Sequence, residues 1–159
     1  MSSQLAPDRF RRACSLWTTG ISILTTTDSA GVPHGMTANS FTSVSLDPPL
    51  VLFCLDERAA LLSHIAPGRN IAVNILAEDQ AELSSRFARK SEDRFENLDW
   101  HQSALGCPLL SGALAVMECT ITKLVPAGDH QIVLAHAHSV DWREGRPLLY
   151  FSSSYESLA

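Results

Sequence analysis

Leu114-Ala-Val-Met-Glu-Cys-Thr-Ile-Thr-Lys-Leu-Val125 is followed by Pro126-Ala-Gly-Asp129 and then by Gln131-Ile-Val-Leu-Ala-His-Ala-His-Ser-Val140. The first run alternates for long enough to predict a strand, the middle four residues are turn formers, and the second run returns as its partner. An antiparallel hairpin follows. The same pattern recurs on either side. Ile21 to Thr27 is rich in β-branched residues, Asp28-Ser-Ala-Gly31 reads as a turn, and a new strand begins after Pro33, which predicts a second hairpin. Leu50 to Leu55 is continuously apolar, as expected of a strand covered on both faces. Asn70 to Leu76 is a further short strand, and Leu148 to Phe151 follows a turn at Arg143-Glu-Gly-Arg-Pro147.

Helical signals are shorter. Phe10, Ala13, Cys14 and Trp17 recur at helical spacing after Pro7-Asp8, which predicts a first helix capped by Asp8, closed by Gly20, with its apolar stripe against the body. Asp56 is placed to cap a short helix carrying Leu61, Leu62 and Ile65, ended by Pro67-Gly68. Glu78 to Phe87 predicts another, with Leu83 and Phe87 one turn apart. Ala88 to Leu98 is charged and lacks a period, so it reads as a loop with some helix. At least six strands with antiparallel turn signals predict a mainly β fold closed into a small barrel, since closure removes exposed edges. Without an internal repeat or linker, residues 1–159 are expected to form one domain.

Composition narrows the function classes. A chain of 159 residues with 45% hydrophobic and 18% charged residues can bury a real core. The formal charge of -5 provides no basic footprint, so nucleic acid is not an expected partner. No apolar run approaches a membrane span, and Met1 to Asp8 lacks the basic start and apolar stretch of an export signal, which predicts a cytoplasmic protein with no membrane partner. Cys14, Cys54, Cys107 and Cys119 have no C-x-x-C spacing and read as buried free thiols.

One stretch departs from core patterning. Gly35-Met-Thr-Ala-Asn-Ser-Phe-Thr-Ser-Val-Ser-Leu-Asp-Pro-Pro-Leu-Val51 packs small hydroxyl and amide side chains into a strand-like run. Thr37, Asn39, Ser40, Thr42, Ser43 and Ser45 offer donors and acceptors with little bulk, suited to a flat, hydrogen-bonding ligand. The same pattern on the polar face of an edge strand would need no ligand.

That stretch, followed by Asn70-Ile-Ala-Val-Asn-Ile-Leu76, Gly128-Asp-His130 and Pro147-Leu-Leu-Tyr-Phe151, resembles the short-chain flavin reductase family from about Asp8 to Tyr155. The resemblance implies an FMN-binding split β-barrel with Greek-key connections, a homodimer, bound FMN or FAD, and NADH or NADPH as hydride donor. It also implies that reduced flavin is supplied to a separate flavin-dependent monooxygenase. By resemblance Thr37, Ala38, Asn39, Ser40 and Ser43 contact the flavin, with Cys54, Leu55 and Asp56 bordering its other side. Phe87-Ala-Arg-Lys90 lies near the phosphate, with Arg89 preferred over Lys90, although a basic helix end also complements its own dipole. Arg94 reads equally as a loop salt bridge.

Gly128-Asp129-His130 borders the nicotinamide pocket by resemblance, with Gly128 allowing the turn, Asp129 fixing the loop or the imidazole tautomer, and His130, the catalytic candidate, bonding the carboxamide or flanking the flavin. Tyr155 is the residue of the final segment able to cover that site. The chain departs from the family at Ala135-His136, where Gly-Arg is frequent. His136 and His138 share one strand face, but no third ligand is evident and no metal is expected. His34 reads as a turn residue or pocket rim, and Trp17, Trp100 and Trp142 as core or interface aromatics. Two other readings stay open: a flavoprotein holding FMN tightly and passing electrons to another acceptor, and a flavin-binding barrel without turnover.

Overall fold

Alternation is what builds the sheet. The structure, a computed structural model, describes residues 5–159. The opening residues 1–4, part of the stretch read for an export signal, lie outside the described residues. Twelve strands are present among the described residues: β1 (Thr19–Gly20), β2 (Ser22–Thr27), β3 (Pro33–Ala38), β4 (Thr42–Leu46), β5 (Pro49–Asp56), β6 (Asn70–Ile75), β7 (Trp100–Gln102), β8 (Pro108–Leu110), β9 (Ala115–Ala127), β10 (His130–Trp142), β11 (Leu149–Phe151) and β12 (Ser154–Glu156). Two helices, α1 (Pro7–Cys14) and α2 (Ala81–Ala88), and two 3-10 turns, Ala60–His64 and Glu78–Gln80, complete the order. No helix among the described residues is long and apolar enough to cross a membrane.

Seven strands form one antiparallel sheet in the order β3-β2-β6-β9-β10-β5-β4. Its two edge strands, β3 and β4, are consecutive in the chain and separated by residues 39–41 alone, so Ala38 and Thr42 stand at most about 15 Å apart. The sheet therefore curls into a barrel, split along the β3/β4 seam. The predicted hairpin is its longest part. β9 and β10 pair along their length, with register shifts at Leu134/Ala135 and Ala137/Ser139 that bend the ribbon. The bend lets residues 130–136 of β10 pair with β5, while residues 115–120 of β9 pair with β6.

Leu24, Phe53, Leu55, Ile71, Val73, Ile121 and Val133 fill the barrel. Each such side chain stabilises the fold by roughly 1.5–3 kcal/mol through removal of apolar surface from water. A second cluster, containing Ile21, Ile23, Leu76, Phe87, Leu110 and Leu148, seats α2 against the barrel wall. Asn74 is fully buried with its amide satisfied: Nδ2 donates to the Ile23 carbonyl and Thr25 Oγ1, and Oδ1 accepts from Leu110 N–H. It clamps β6, β2 and β8 together.

Several expectations are corrected here. Asp8 is not the cap of α1; Ala6 holds that position, Pro7 starts the helix, and Asp8 pairs with Arg11 one turn on. The helix ends at Cys14, Gly20 belongs to β1, and no α1 residue is buried. Phe10 and Trp17 are exposed, the latter by 78% of its surface, so among the described residues the apolar stripe is left uncovered. Asp56 does not cap a helix either: it ends β5, and the segment that follows is a 3-10 turn preceded by Ala59. β5 alternates in burial rather than being covered twice, with Val51, Phe53 and Leu55 inward and Leu50, Leu52 and Cys54 half-buried. The run from Gly35 to Val51 is not one strand but β3, a corner and β4 on opposite sheet edges. Pro126 belongs to β9, and the hairpin turn narrows to Gly128-Asp129, where Gly128 takes a φ of 65°.

The four cysteines are free, but the burial expected of them holds for Cys107 and Cys119 only; Cys54 is half-buried and Cys14 exposed. Burial pushes the Cys107 and Cys119 thiols up to about 12, so neither ionises near neutrality. Trp100 packs edge-on against Phe95, whereas Trp142 is exposed.

Candidate functional site

β3 is an edge strand, so alternate backbone N–H and C=O groups along it face away from β2 and are free to bind something else. A cavity of about 1300 Å³ opens against that edge. Its walls come from four places. His34 to Asn39 on β3 form one; Asp56, Arg58, Leu61 and His64, from the end of β5 and the 3-10 turn, form another. Phe87, Lys90, Arg94 and Phe95 close the side below α2, and Tyr150 and Tyr155 reach in from the C-terminal sheet.

The parts are held by specific contacts. Gly35 is glycine because Phe87 lies on it: a Cβ there would stand 2.8 Å from Phe87 Cε1 and 3.1 Å from the Leu24 carbonyl oxygen. Thr37 Oγ1 donates to the Ser84 carbonyl at 2.6 Å, and Ser84 Oγ bonds Tyr155 Oη at 2.8 Å. These two bonds join β3, α2 and β12. Arg94 bridges the segment after α2 to the strand, with Nη1 on the Gly35 carbonyl and Nε and Nη2 on the Arg89 carbonyl. The charged segment Ala88 to Leu98 thus lies over the barrel, with Phe95 edge-on to Phe87, and Arg94 makes no salt bridge among the described residues.

Electrostatics on the opposite wall centre on Asp56. Arg58 donates to its carboxylate from Nε at 3.0 Å, from Nη2 at 2.7 Å and from its own backbone N–H at 2.8 Å. These bonds hold the Asp56 carboxyl well below the usual range. The β9–β10 turn docks beside it: Glu57 N–H donates to the Asp129 carbonyl at 3.0 Å, and His130 pairs with Asp56 across β10 and β5. His130 Nδ1 lies 2.7 Å from Asp129 Oδ1. That contact lowers the Asp129 pKa, so the carboxylate accepts and His130 Nδ1 carries the proton.

Thr37, Ala38, Asn39, Asp56, Phe87, Lys90 and Tyr155 come together around the cavity. Others do not. Ser40 Oγ is taken up by the backbone of Cys54, accepting its N–H and donating to its carbonyl, which laces the corner to β5. Cys54 is half-buried behind that contact, and burial raises its pKa. Ser43 is exposed on β4, and Leu55 points into the barrel core. Of the two basic candidates, Lys90 lines the cavity, and Arg89 contributes its carbonyl to Arg94. Gly128, Asp129 and His130 stand at a hairpin tip outside the cavity wall. Arg58, His64 and Tyr150 line the cavity without having stood out in the sequence; Arg58, two residues beyond Asp56, is the one with a readable local partner.

A smaller cavity of about 520 Å³ lies across Asn39 and Ser40, between Trp17, Thr19, Phe41 and Ile75. Thr19 Oγ1 is buried there without a hydrogen-bond partner among the described residues. A buried hydroxyl left unpaired costs about 1–3 kcal/mol, which a ligand group or water offsets.

Comparison with known proteins agrees with this geometry. The flavin reductase like domain model matches residues 14–159. The reductase subunit HsaB of a flavin-dependent monooxygenase from Rhodococcus jostii is 38% identical over 96% of this chain and 78% of its own length. A Rhizobium meliloti protein named as a probable flavin reductase is 43% identical over 80% of this chain, which spans only 41% of that relative. The NADH:FAD oxidoreductase SgcE6 of Streptomyces globisporus, solved with NAD and FAD fragments, superposes with a TM-score of 0.90 at 34% identity, covering 99% of this chain and 98% of that one. A match that takes in the edge strand, the cavity below α2 and the Gly-Asp-His turn together places the chain in the flavin reductase-like family.

Proposed function

We propose that this protein is an NAD(P)H:flavin oxidoreductase that reduces FMN or FAD and hands the reduced flavin to a separate flavin-dependent monooxygenase. The observation that carries it is the cavity of about 1300 Å³ against the open edge of β3. Pockets for one small ligand are typically about 300–1,000 Å³, so this one has room for two planar ring systems face to face. The donor set fits a flavin: backbone N–H groups of an edge strand beside Thr37 and Asn39, aromatic surface from Phe87 and Tyr155, and cations at Lys90, Arg94 and Arg58.

When both cofactors are bound, the nicotinamide supplies a hydride from C4 and the flavin accepts it at N5. The protein's part is positioning and electrostatics. N–H donors fixed along β3 stabilise negative charge at a ring edge without reorganising. Arg94, itself pinned to Gly35, and Lys90 hold a phosphate at the far side of α2. Tyr155, tied to Ser84, and Phe87 exclude water from one face of the cavity. His130, held by Asp129 and paired with the cavity residue Asp56 across β10 and β5, stands outside the wall where a nicotinamide carboxamide reaching past the rim would meet it. Ser40 and Cys54, bonded to one another, and Leu55 in the core support this site from behind rather than touching the ring.

A cytoplasmic homodimer built from this single domain is part of the same proposal. Its support is apolar surface left uncovered: Leu46 is 94% exposed, and Val44, Phe10, Trp17 and Trp142 are also exposed. Two copies would bury these residues and complete a cavity that one copy leaves open.

The test is anaerobic mixing of purified protein with several equivalents of FMN or FAD and each nicotinamide, following nicotinamide absorbance. Many turnovers are expected. A single equivalent reduced and held would replace the proposal with a tight flavoprotein using another acceptor, and no reduction would leave a binding barrel. Light scattering at the mass of one chain would remove the dimer.

A further inference from the structure

We infer that Asp28, His34 and His64 form a binding site for a divalent transition-metal ion of the zinc class, with its fourth position open to the large cavity. The three residues come from separate pieces of chain. Asp28 follows β2, His34 lies on β3, and His64 ends the 3-10 turn after β5. One ligand atom from each lies within 4.8 Å of the other two, and all three residues are half-buried. His34 Nε2 is 3.0 Å from Asp28 Oδ2, and the two imidazoles stack at 3.7 Å with 14° between their planes.

Two imidazole nitrogens and one carboxylate oxygen are a donor set that zinc takes with three protein ligands and a water. The carboxylate is already oriented for it. Asp28 Oδ1 accepts N–H groups from Ala30 and Val32, each at 2.9 Å, which turns Oδ2 toward the imidazoles. Such outer hydrogen bonds are what fix a metal-binding carboxylate. His64 supplies the second observation: its ring stacks on His34 and brings a ligand nitrogen within 4.8 Å of the ligand atoms of both partners. A triad held together only by hydrogen bonds would need His34 and Asp28 and would have no use for His64.

The adjustment required is small. Zinc–nitrogen bonds of about 2.0–2.1 Å in a tetrahedron put ligand atoms roughly 3.3 Å apart. The widest pair here closes by about 1.5 Å if the rings tilt out of their stack, a side-chain rotation beside open space. With the ion bound at Nε2, His34 takes its other tautomer: the proton held between Nε2 and Asp28 is exchanged through solvent for one on Nδ1, so the ring stays neutral. Sequence spacing hides the site because His34 and His64 are thirty positions apart in no motif.

The test is equilibrium dialysis of the full chain against Zn²⁺, with Co²⁺ absorption reporting the ligand type. One ion per chain is expected, with cobalt bands free of thiolate charge transfer. His64→Ala, with melting of the metal-free variant measured alongside to register the lost stacking on His34, is expected to weaken binding by about tenfold or more. Asp28→Asn is expected to weaken it likewise, and His64→Asp to restore much of it. The double variant His136→Ala, His138→Ala removes the edge-on histidine pair of β10 and is expected to change nothing. Absence of saturable Zn²⁺ binding, affinity untouched by His64→Ala, or a thiolate band would each overturn the site. None of these readouts depends on flavin or nicotinamide turnover.

Discussion

Arg94 Nη1 donates a 2.7 Å hydrogen bond to the carbonyl oxygen of Gly35, fastening the charged segment after α2 to the outer edge of β3. The bond uses a backbone acceptor that an inner strand would have spent on its neighbour. It therefore ties the shape of the cavity to β3 being an edge.

Arg94→Met removes this bond and the two to the Arg89 carbonyl. Stability is expected to fall by about 1.5–3 kcal/mol, the range for hydrogen bonds from a charged donor. Flavin affinity should drop about tenfold as the phosphate side loosens. Urea unfolding and fluorescence titration with FMN measure the two effects, and wild-type flavin affinity would remove Arg94 from the site.

Gly35→Ala places a methyl group 2.8 Å from the Phe87 ring and 3.1 Å from a backbone oxygen. Overpacking of this kind costs about 1–3 kcal/mol. Phe87→Leu in the same chain should recover part of the loss, so a double-mutant cycle should show coupling between the two positions. Strict additivity would mean that the clash with the Leu24 carbonyl dominates instead.

Asp28 has a folded-state pKa of about 2, lowered from 3.8 chiefly by the hydrogen bond from His34 and then by Val32 N–H. A carboxyl depressed on folding contributes stability that is fully present above its unfolded pKa. That stability is lost as pH falls through the window from 3.8 toward 2. Wild type should therefore exceed Asp28→Asn in stability at neutral pH, and the gap should close across that window. Urea unfolding at a series of pH values checks this; a gap constant with pH would mean that Asp28 acts through packing alone.

His130→Ala should leave flavin affinity near wild type and lower kcat/KM for the nicotinamide by about five- to tenfold, the worth of one lost hydrogen bond. Steady-state kinetics with each cofactor varied separately makes the distinction. A loss confined to flavin would place the hairpin tip on the other side of the chemistry.

The strands are legible in the sequence wherever burial alternates, as in β9 and β10, whose bounds fall within a few residues of the pattern. The ends of helices are less so. Asp8 and Asp56 have the right chemistry for caps, but Asp8 takes a local arginine and Asp56 is held by Arg58 at the end of a strand. The short pieces β1, β7, β8 and β12 carry no period of their own and exist because a neighbour pairs with them. Of the basic pair after α2, composition could not tell Arg89 from Lys90. The choice depends on which way the chain leaves the helix, and Arg94 decides that by taking the Arg89 carbonyl.

By itself the sequence determined where the long alternating strands lie, that they pair antiparallel, and which family the ordered motifs belong to, because periodicity and turn chemistry act over a few residues. Tertiary structure alone decided that Gly35 lies under Phe87, that Ser40 serves the backbone of Cys54, and that Asp28, His34 and His64 meet. Those contacts join residues distant in the chain. They come into being only when the sheet closes and brings β3, the 3-10 turn and α2 around one cavity.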